Sequence, residues 1–468
     1  MLSKWMWTGF QVFNFNVTVP MDILPIKNQC QSNVPFPQVS IPDELIAEIL
    51  LFLDVKTIVR FKCVSKSWNI HISNPTFTEL HLKKSSQNPH FIVTPFQKYR
   101  MRNVVSLPVC RLLENPSITV AGDKCHSLPG GLGYCQVVGS CNGLLCLLYN
   151  TISSLQNDYR LCLWNPATRT ISDDFGFFVD YEPLSGPFKF SFGCDYLTGT
   201  YKVLALHTER NAHKETENEG LWRSKVRVSS FGYNGWRYIQ SFPSVPLIWN
   251  DGVHLSGTIN WLAISGDFVS MSVPEGAHEA HIPHVEQFVI VSVDLSTEAY
   301  TQLLLPPGFD AVPCVEPSLR VLMDCLCFSH DFNRTEFVLW QMKEFGVHES
   351  WTQLFRIEYV NLQLHNLTIT DNTDLFGNME CKIPLLPLYL SNNGDTLILT
   401  SDEEKGVIIY NQRDKKVERS RISNKICWQS TFDYVESLVS TLWEDLEEDE
   451  EEKEGEDEDD EENGAICY

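Results

Sequence analysis

The sequence predicts an α+β multidomain chain, in which a small all-α helical module precedes an all-β domain. Apolar residues recur at helical spacing only between residues 40 and 82. Short apolar runs interrupted by Gly, Asn, Asp and Pro occupy residues 88 to 440, as in an all-β domain. Residues 444–462 then contain sixteen acidic residues and one lysine, which predicts a disordered acidic C-terminal tail over residues 444–468.

Composition and charge exclude several functional classes. The chain has 468 residues and a net charge of −24, of which −15 lies in residues 444–462, so the remaining body carries −9. This balance excludes a basic nucleic-acid binder. Apolar runs such as residues 144–149 are far shorter than the ~20 residues that cross a membrane. We therefore expect neither nucleic acid nor a membrane as a partner.

The N-terminal extension and the cysteines indicate the compartment. Residues 1–38 are rich in aromatic residues but broken by polar ones, so they make a poor signal-peptide core and their order stays open. The fifteen cysteines are odd in number and have no C-x-x-C spacing, which favours a reducing cytoplasm or nucleus. Cys146 and Cys162 lie in apolar runs, where a thiol acts as a small buried hydrophobe.

The helical module is predicted to contain three short helices. Pro42 suits the first turn of a helix, and Asp43 complements the helix dipole there. Two further helices are predicted over residues 55–64 and 65–72, and the Asn-Pro pair at 74–75 ends the last one. The module therefore occupies roughly forty-five residues, which is a small core for a domain.

The first of these helices is apolar on more than one side. Residues 45–53 include a single charged residue, Glu48. Three short helices cannot cover all of this apolar surface by themselves. Either the second apolar face packs against the rest of the chain, or it binds the helices of another protein.

The module resembles the plant F-box motif over more than forty residues. The stretches that carry the resemblance are residues 41–50, 55–68, 72–77 and 81–82. The usual opening Leu-Pro of the family is Ile41-Pro42 here, and the Leu-Pro before its second helix is Leu53-Asp54. The resemblance implies an F-box over residues 39–84 that docks on the Skp-type adaptor of a cullin-based ubiquitin ligase. Nine positions are carried over as contacts or internal packing: Pro42, Leu45, Ile49, Leu50, Val55, Ile58, Phe61, Val64 and Trp68.

The all-β domain, residues 88–443, is predicted to repeat one unit. In the clearest copy a strand runs into the turn Asn165-Pro166-Ala167-Thr168, and a new strand begins at Arg169. The other copies lie at residues 226–239, 289–300, 336–354 and 407–417. Five units spaced 50–70 residues apart predict a β-propeller, and a further blade shared between residues 91–93 and 434–439 would close it. A two-sheet sandwich is the alternative, because strand pattern alone does not fix closure.

This domain resembles the F-box-associated interaction domain, which is kelch-like. The stretches that carry the resemblance are residues 139–144, 163–168, 192–193, 257–262 and 434–438. The Gly-Gly signature of true kelch blades is not repeated, so the number of blades stays open. The resemblance implies that the β-domain binds a target protein, whose identity the sequence does not give. The insertions at residues 207–221 and 266–287 are candidates for target-binding loops.

Motifs of catalytic and metal sites are weak or missing in the sequence. No P-loop, dinucleotide-binding glycine turn or G-x-S-x-G elbow occurs. The best metal candidate is His278-x-x-His281-x-x-His284, but it lies in an insertion with Pro and Gly, so a solvated loop is the favoured interpretation. We predict no cofactor, no metal and no catalytic residue. A propeller-borne hydrolase or oxidase is the alternative, and it would need several acidic or histidine side chains on one face.

The combined prediction is a non-catalytic substrate-recognition subunit of an SCF-type (Skp–cullin–F-box) ubiquitin ligase. The F-box would bind the adaptor and, through it, the cullin, while the β-domain holds a target for ubiquitination and proteasomal degradation. An adaptor-bound scaffold that degrades nothing is the second possibility. The acidic tail either keeps the chain soluble or binds a basic partner such as a histone. We expect the protein in the cytoplasm, the nucleus or both.

Overall fold

The computed structural model describes most of the two predicted domains. The described residues are 43–95, 103–114, 125–128, 134–152, 156–180, 188–210, 222–233, 235–247, 251–265, 284–313, 315–364, 370–373, 379–380, 385–400, 406–420 and 426–442. The predicted N-terminal extension, the acidic tail, His278 and His281 lie outside these residues.

Four helices open the described chain. They are α1 (Asp43–Leu50), α2 (Val55–Phe61), α3 (Lys66–Ser73) and α4 (Pro75–Ser85). Side chains cap three of them: Asp54 accepts from the Thr57 amide and Ser65 from the Trp68 amide, at 2.7 and 3.1 Å. The sequence predicted only three helices. The fourth forms because Asn74 both ends α3 and caps α4, whose first position Pro75 occupies.

Strands follow from residue 90 onward, with one short helix, α5 (Val109–Glu114), that the sequence did not predict. The strands are β1 (His90–Pro95), β2 (Asn103–Pro108), β3 (Cys125–Ser127), β4 (Tyr134–Cys141), β5 (Leu144–Ile152), β6 (Asn157–Asn165), β7 (Thr170–Ile171), β8 (Phe175–Asp180), β9 (Lys189–Asp195), β10 (Thr200–Arg210), β11 (Trp222–Ser230), β12 (Arg237–Tyr238), β13 (Ser244–Pro246), β14 (Val253–Leu255), β15 (Thr258–Ser265), β16 (Phe288–Asp294), β17 (Tyr300–Leu303), β18 (Ser318–Leu322), β19 (Cys325–Phe332), β20 (Glu336–Met342), β21 (Trp351–Glu358), β22 (Thr370–Thr373), β23 (Met379–Glu380), β24 (Leu386–Leu390), β25 (Thr396–Thr400), β26 (Val407–Asn411), β27 (Lys416–Arg419) and β28 (Ile426–Tyr434).

These strands form a six-blade β-propeller, which confirms the predicted fold class. Blade 1 contains β4–β8, blade 2 β9–β12, blade 3 β13–β17, blade 4 β18–β21, blade 5 β24–β27, and blade 6 β28 followed by β1–β3. Every pairing within the blades is antiparallel. Strands β22 and β23 pair only with each other among the described residues.

Blade 6 joins the two ends of the β-domain. His90 lies opposite Tyr434 in the pairing of β1 with β28, so the first and last strands share one sheet. Beyond β28, the Asn165 side-chain amide of blade 1 donates to the carbonyls of Ser437 and Val439, at 3.1 and 2.9 Å. The predicted closing blade is therefore present, and it is the sixth.

The hydrophobic core is divided among the gaps between blades. Six clusters of buried side chains each join two neighbouring blades, in the order 1–2, 2–3, 3–4, 4–5, 5–6 and 6–1. Alternate residues of one strand serve different gaps: Val203 and Ala205 of β10 face blade 1, whereas Leu204 and Leu206 face blade 3. Because the clusters form a ring, the sandwich alternative is wrong.

The turn predicted at residues 165–168 recurs in other blades. It recurs between the last two strands of a blade, beginning at Asn165, Asp294 and Asn411. In each copy the Asn or Asp oxygen accepts backbone amides two and three residues later. Four residues after each start, Arg169, Glu298 and Lys415 adopt left-handed φ angles of 63°, 58° and 54°. Asn and Asp recur at these starts because their side chains replace a missing backbone acceptor.

Candidate functional site

The four helices bury one set of apolar side chains among themselves. Leu50 of α1, Val55 and Ile58 of α2, Ile72 of α3 and Phe77 of α4 are all buried, with Leu50 only 1% exposed. Three of these, Leu50, Val55 and Ile58, belong to the nine positions carried over from the F-box resemblance. Their burial assigns them to internal packing.

A second set of apolar side chains, in these helices and in the turns that follow the first two, is exposed. Leu45 and Ile49, four residues apart on α1, are 50% and 40% exposed, and Phe52 and Val64 are 75% and 60% exposed. Ile70 and Leu80 are exposed as well. We call Ile49, Phe52 and Val64 the exposed apolar surface. Exposed large apolar side chains of this kind make a candidate protein-binding surface.

The remaining carried-over positions occupy intermediate places. Phe61 and Trp68 are half-buried and pack edge to face, with ring centroids 5.2 Å apart. Pro42 lies outside the described residues. Phe52 was not among the nine, although its place in the apolar run of residues 45–53 was a sequence signal that could have identified it.

Two contacts join α4 to the turn that follows α1, next to the exposed apolar surface. His81 of α4 is buried, and its Nε2 lies 3.0 Å from the carbonyl oxygen of Leu53. The Lys84 ammonium lies 4.6 Å from the centre of the Phe52 ring, within the range of a cation–π interaction. The Phe52 side chain of the exposed apolar surface therefore borders Lys84 of α4.

The strand order places the junction with the F-box and the strand ends from which the two long insertions leave at opposite edges of the propeller. One strand of each blade lines a central channel: β4, β9, β14, β18, β24 and β28 for blades 1 to 6. The module joins at His90, beside the end of β28. Strands β10 and β15 run antiparallel to the channel strands, from the edge where the F-box joins to the opposite edge. The two insertions leave from the ends of these strands. Residues 211–221 and 266–283 of these insertions lie outside the described residues.

The central channel contains a cavity of about 420 Å³ with charged groups in it. Arg320 of β18, Asp433 of β28 and Asp251 before β14 all line it. The Asp433 side chain is accessible from the channel but is enclosed by the surrounding strands. This burial raises the pKa of Asp433 to about 6, although the Arg320 guanidinium opposes the shift.

The Asp433 carboxyl is expected to make stability depend on pH. Its pKa is about 6 in the folded chain, against an ordinary value of 3.8, so the folded state binds the proton more tightly. That contribution is complete below pH 3.8 and is lost as the pH rises through 6. We expect Asp433→Asn to raise the free energy of unfolding at pH 8 by about 1 kcal/mol, after allowance for water in the channel.

Urea denaturation of the Asp433→Asn variant and the unaltered chain, at pH 4 and pH 8, measures this effect. The two chains should differ at pH 8 and agree at pH 4. Asp251 still neighbours Arg320 in the variant. If the variant and the unaltered chain have equal stability at each pH, the pKa of Asp433 in the folded chain is the same as in water.

The described thiols and histidines suit packing better than chemistry. Cys146 and Cys162 are fully buried, as predicted. Burial raises the pKa of Cys162 and Cys327 to about 12 and that of Cys194 to about 11, so these thiols stay protonated at neutral pH. In the part of the chain that the structure describes, no three His, Cys, Asp or Glu residues come together as metal ligands. No helix there is long and apolar enough to span a bilayer.

Two family models match the chain. One is described as the F-box domain and matches residues 39–80. The other is described as the F-box associated beta propeller domain and matches residues 90–441. The first covers the four helices almost completely, and the second covers all six blades.

Relatives of this chain are named as F-box proteins. The chain is similar to an F-box/kelch-repeat protein of Arabidopsis thaliana, with 27% identity over 368 residues that cover 76% of this chain and 89% of the relative. It is also similar to the F-box protein CPR1 of the same plant, with 26% identity over 329 residues, or 68% of this chain and 73% of the relative.

Solved structures give only distant similarity. One is cobalt-substituted apocarotenoid oxygenase of Synechocystis, with a TM-score of 0.33 and 9% identity over 70% of this chain and 65% of that chain. Another is acylaminoacyl peptidase of Pyrococcus horikoshii, with a TM-score of 0.33 and 11% identity over 62% of this chain and 39% of that chain. At these scores neither enzyme bears on the activity of this chain.

Proposed function

The chain belongs to the family of F-box proteins that carry an F-box-associated β-propeller domain, and we propose on that basis that it is the substrate-recognition subunit of an SCF-type ubiquitin ligase. In this role the F-box binds a Skp-type adaptor and, through it, a cullin. The propeller holds a target protein near the ubiquitin-carrying enzyme. The chain contributes proximity rather than reacting groups.

The observation that carries the proposal is the exposed apolar surface of the F-box helices. The described residues of the chain leave Ile49, Phe52 and Val64 in water, although all three could be buried by another apolar surface. An adaptor that offers apolar helices would cover them and gain roughly 25 cal/mol for each Å² removed from water. This supports the second of the two interpretations of the apolar face, in which a partner covers it.

The propeller edge opposite the junction with the F-box is the proposed target-binding edge. The insertions after β10 and β15 leave from that edge, and loops of this kind usually carry the binding residues of propellers. A target bound there would not compete with an adaptor bound at the F-box. We propose the cytoplasm, the nucleus or both as the location, since the cysteine content favours a reducing compartment.

Proximity labelling in plant cells tests the function. We expect the full chain, fused to a labelling enzyme, to label an adaptor, a cullin and a few further proteins. Those further proteins should accumulate at least ~3-fold when the proteasome is inhibited, because degradation is what removes them. Purified complex should then transfer ubiquitin to them in vitro.

An Ile49→Asp fusion is the matched control, since it should lose the adaptor and cullin but keep the targets. Labelled proteins whose levels do not change with the inhibitor, and that receive no ubiquitin, would support the scaffold role instead. Absence of adaptor labelling by the unaltered chain would contradict both the ligase role and the scaffold role.

A further inference from the structure

Helices α2 to α4 of the F-box carry an excess of basic residues within an acidic chain, whereas α1 and the turn after it carry four acidic residues, Asp43, Glu44, Glu48 and Asp54. Residues 55–86 contain six Lys and Arg residues and one acidic residue, Glu79, for a net charge of +5, whereas the whole chain carries −24. The six are Lys56, Arg60, Lys62, Lys66, Lys83 and Lys84, and we call them the basic face. Lys56, Arg60, Lys66 and Lys83 are exposed, and Lys62 and Lys84 are half-buried.

The cations of the basic face form no ion pair with any carboxylate of the described residues. On the propeller, by contrast, many basic side chains are paired within the chain. Examples are Arg223 and Lys225 with Glu209, Arg356 with Glu336, and Lys416 with Glu418. Helices α2 to α4 thus carry positive charge that no described carboxylate neutralises by an ion pair, and an anionic partner would be attracted there.

The chain's own acidic segment begins a short stretch of chain away from α4. Tyr434, at the end of β28, pairs with His90, which follows α4 by five residues. Residues 437–439 then bind Asn165 on the same edge of the propeller, and the described chain ends at Leu442. Residues 444–462 follow directly, with a charge of −15.

The acidic segment is long enough to reach the basic face. Five residues join the end of α4 to His90, and nine join Tyr434, its partner in β28, to residue 443. The end of α4 and residue 443 therefore lie at most about 50 Å apart. The nineteen residues 444–462 extend to about 65 Å. A tether of this length holds the segment at an effective concentration on the order of millimolar, which a separate anionic partner must exceed.

We propose that residues 444–462 bind the basic face of the F-box in the same chain and thereby compete with the adaptor. The Lys84 ammonium lies against the Phe52 ring, so a polyanion on the basic face also borders the exposed apolar surface. Binding of the segment is electrostatic and weakens with salt, whereas adaptor binding is mainly apolar. The competition with the adaptor rests on the proposed function; the contact itself does not.

A synthetic peptide tests the contact directly. The probe is a fluorescent peptide of residues 444–462, added to a chain that ends at residue 442, and the readout is anisotropy. We expect saturable binding in 50 mM NaCl and none in 1 M NaCl, where the Debye length falls to ~3 Å. Reversal of three exposed charges, Lys56→Glu, Arg60→Glu and Lys66→Glu together, should weaken binding at least ~tenfold.

The matched control reverses three exposed propeller charges, Arg356→Glu, Arg413→Glu and Lys416→Glu, and should leave the affinity unchanged. Both variants should keep the thermal midpoint of the parent chain. Equal affinity of the F-box variant and the parent, or no binding at low salt, would overturn the proposal in favour of a purely solubilising tail. Retention of a histone by the tail, unaffected by the F-box charge reversals, would overturn it in favour of a separate basic partner.

Adaptor titration tests the consequence. Removal of residues 443–468 should tighten adaptor binding ~3- to 10-fold in 50 mM NaCl and leave it unchanged in 1 M NaCl. If no form of the chain binds the adaptor, the proposed function fails while the peptide result still stands. If the adaptor binds equally with and without the tail at low salt, the competition fails while the proposed function stands.

Discussion

Replacement of Ile49 by aspartate is expected to abolish adaptor binding while the chain stays folded. Ile49 is 40% exposed on α1, so the isolated chain tolerates a carboxylate there. In the complex that carboxylate would be buried against apolar side chains without a partner, at a cost of several kcal/mol. We expect the dissociation constant to rise at least ~100-fold, which corresponds to ~2.7 kcal/mol. Titration calorimetry with purified adaptor measures the change.

Two variants control for position and for folding. Leu197→Asp changes an 84%-exposed leucine on the propeller and should leave adaptor binding unaltered. Leu50→Asp changes the neighbouring but 1%-exposed residue and should unfold the helical module, which far-ultraviolet circular dichroism reports. Full adaptor affinity of the Ile49→Asp chain would refute the assignment of the exposed apolar surface.

Truncation after residue 425 is expected to prevent folding of the whole propeller. The deletion removes β28, the first strand of blade 6, and with it the buried side chains Trp428 and Tyr434. The clusters between blades 5 and 6 and between blades 6 and 1 then open to water. Loss of one large buried aromatic side chain costs about 3–5 kcal/mol, against a typical total stability of ~5–15 kcal/mol.

Truncation after residue 442 is the matched control, because it keeps β28 and the contacts of Asn165. This chain should melt cooperatively at the temperature of the full-length protein. The chain that ends at residue 425 should show no cooperative transition and should be cleaved rapidly by trypsin. A cooperative transition in both chains would mean that blades 1 to 5 are stable without closure, against the ring of clusters described above.

The sequence predicted the features that depend on residues close together along the chain. Helical spacing and the motif match located the F-box, and the turn that starts at Asn165, Asp294 and Asn411 marked the ends of blades. These signals are local because a helix repeats every 3.6 residues and an Asn or Asp side chain caps its own turn. The fourth helix was missed because Asn74-Pro75 stops one helix and starts the next.

Residues distant in sequence decided the rest. The six-blade closure depends on the pairing of His90 with Tyr434, and no local pattern in either strand specifies that partner. Packing inside the F-box likewise buries Leu50 and leaves Ile49 exposed, although both belong to one apolar run. The sequence by itself determined that the chain has an F-box helical module and a repeated β-domain. Only the tertiary structure decided which apolar side chains remain for a partner, because exposure depends on how the helices pack.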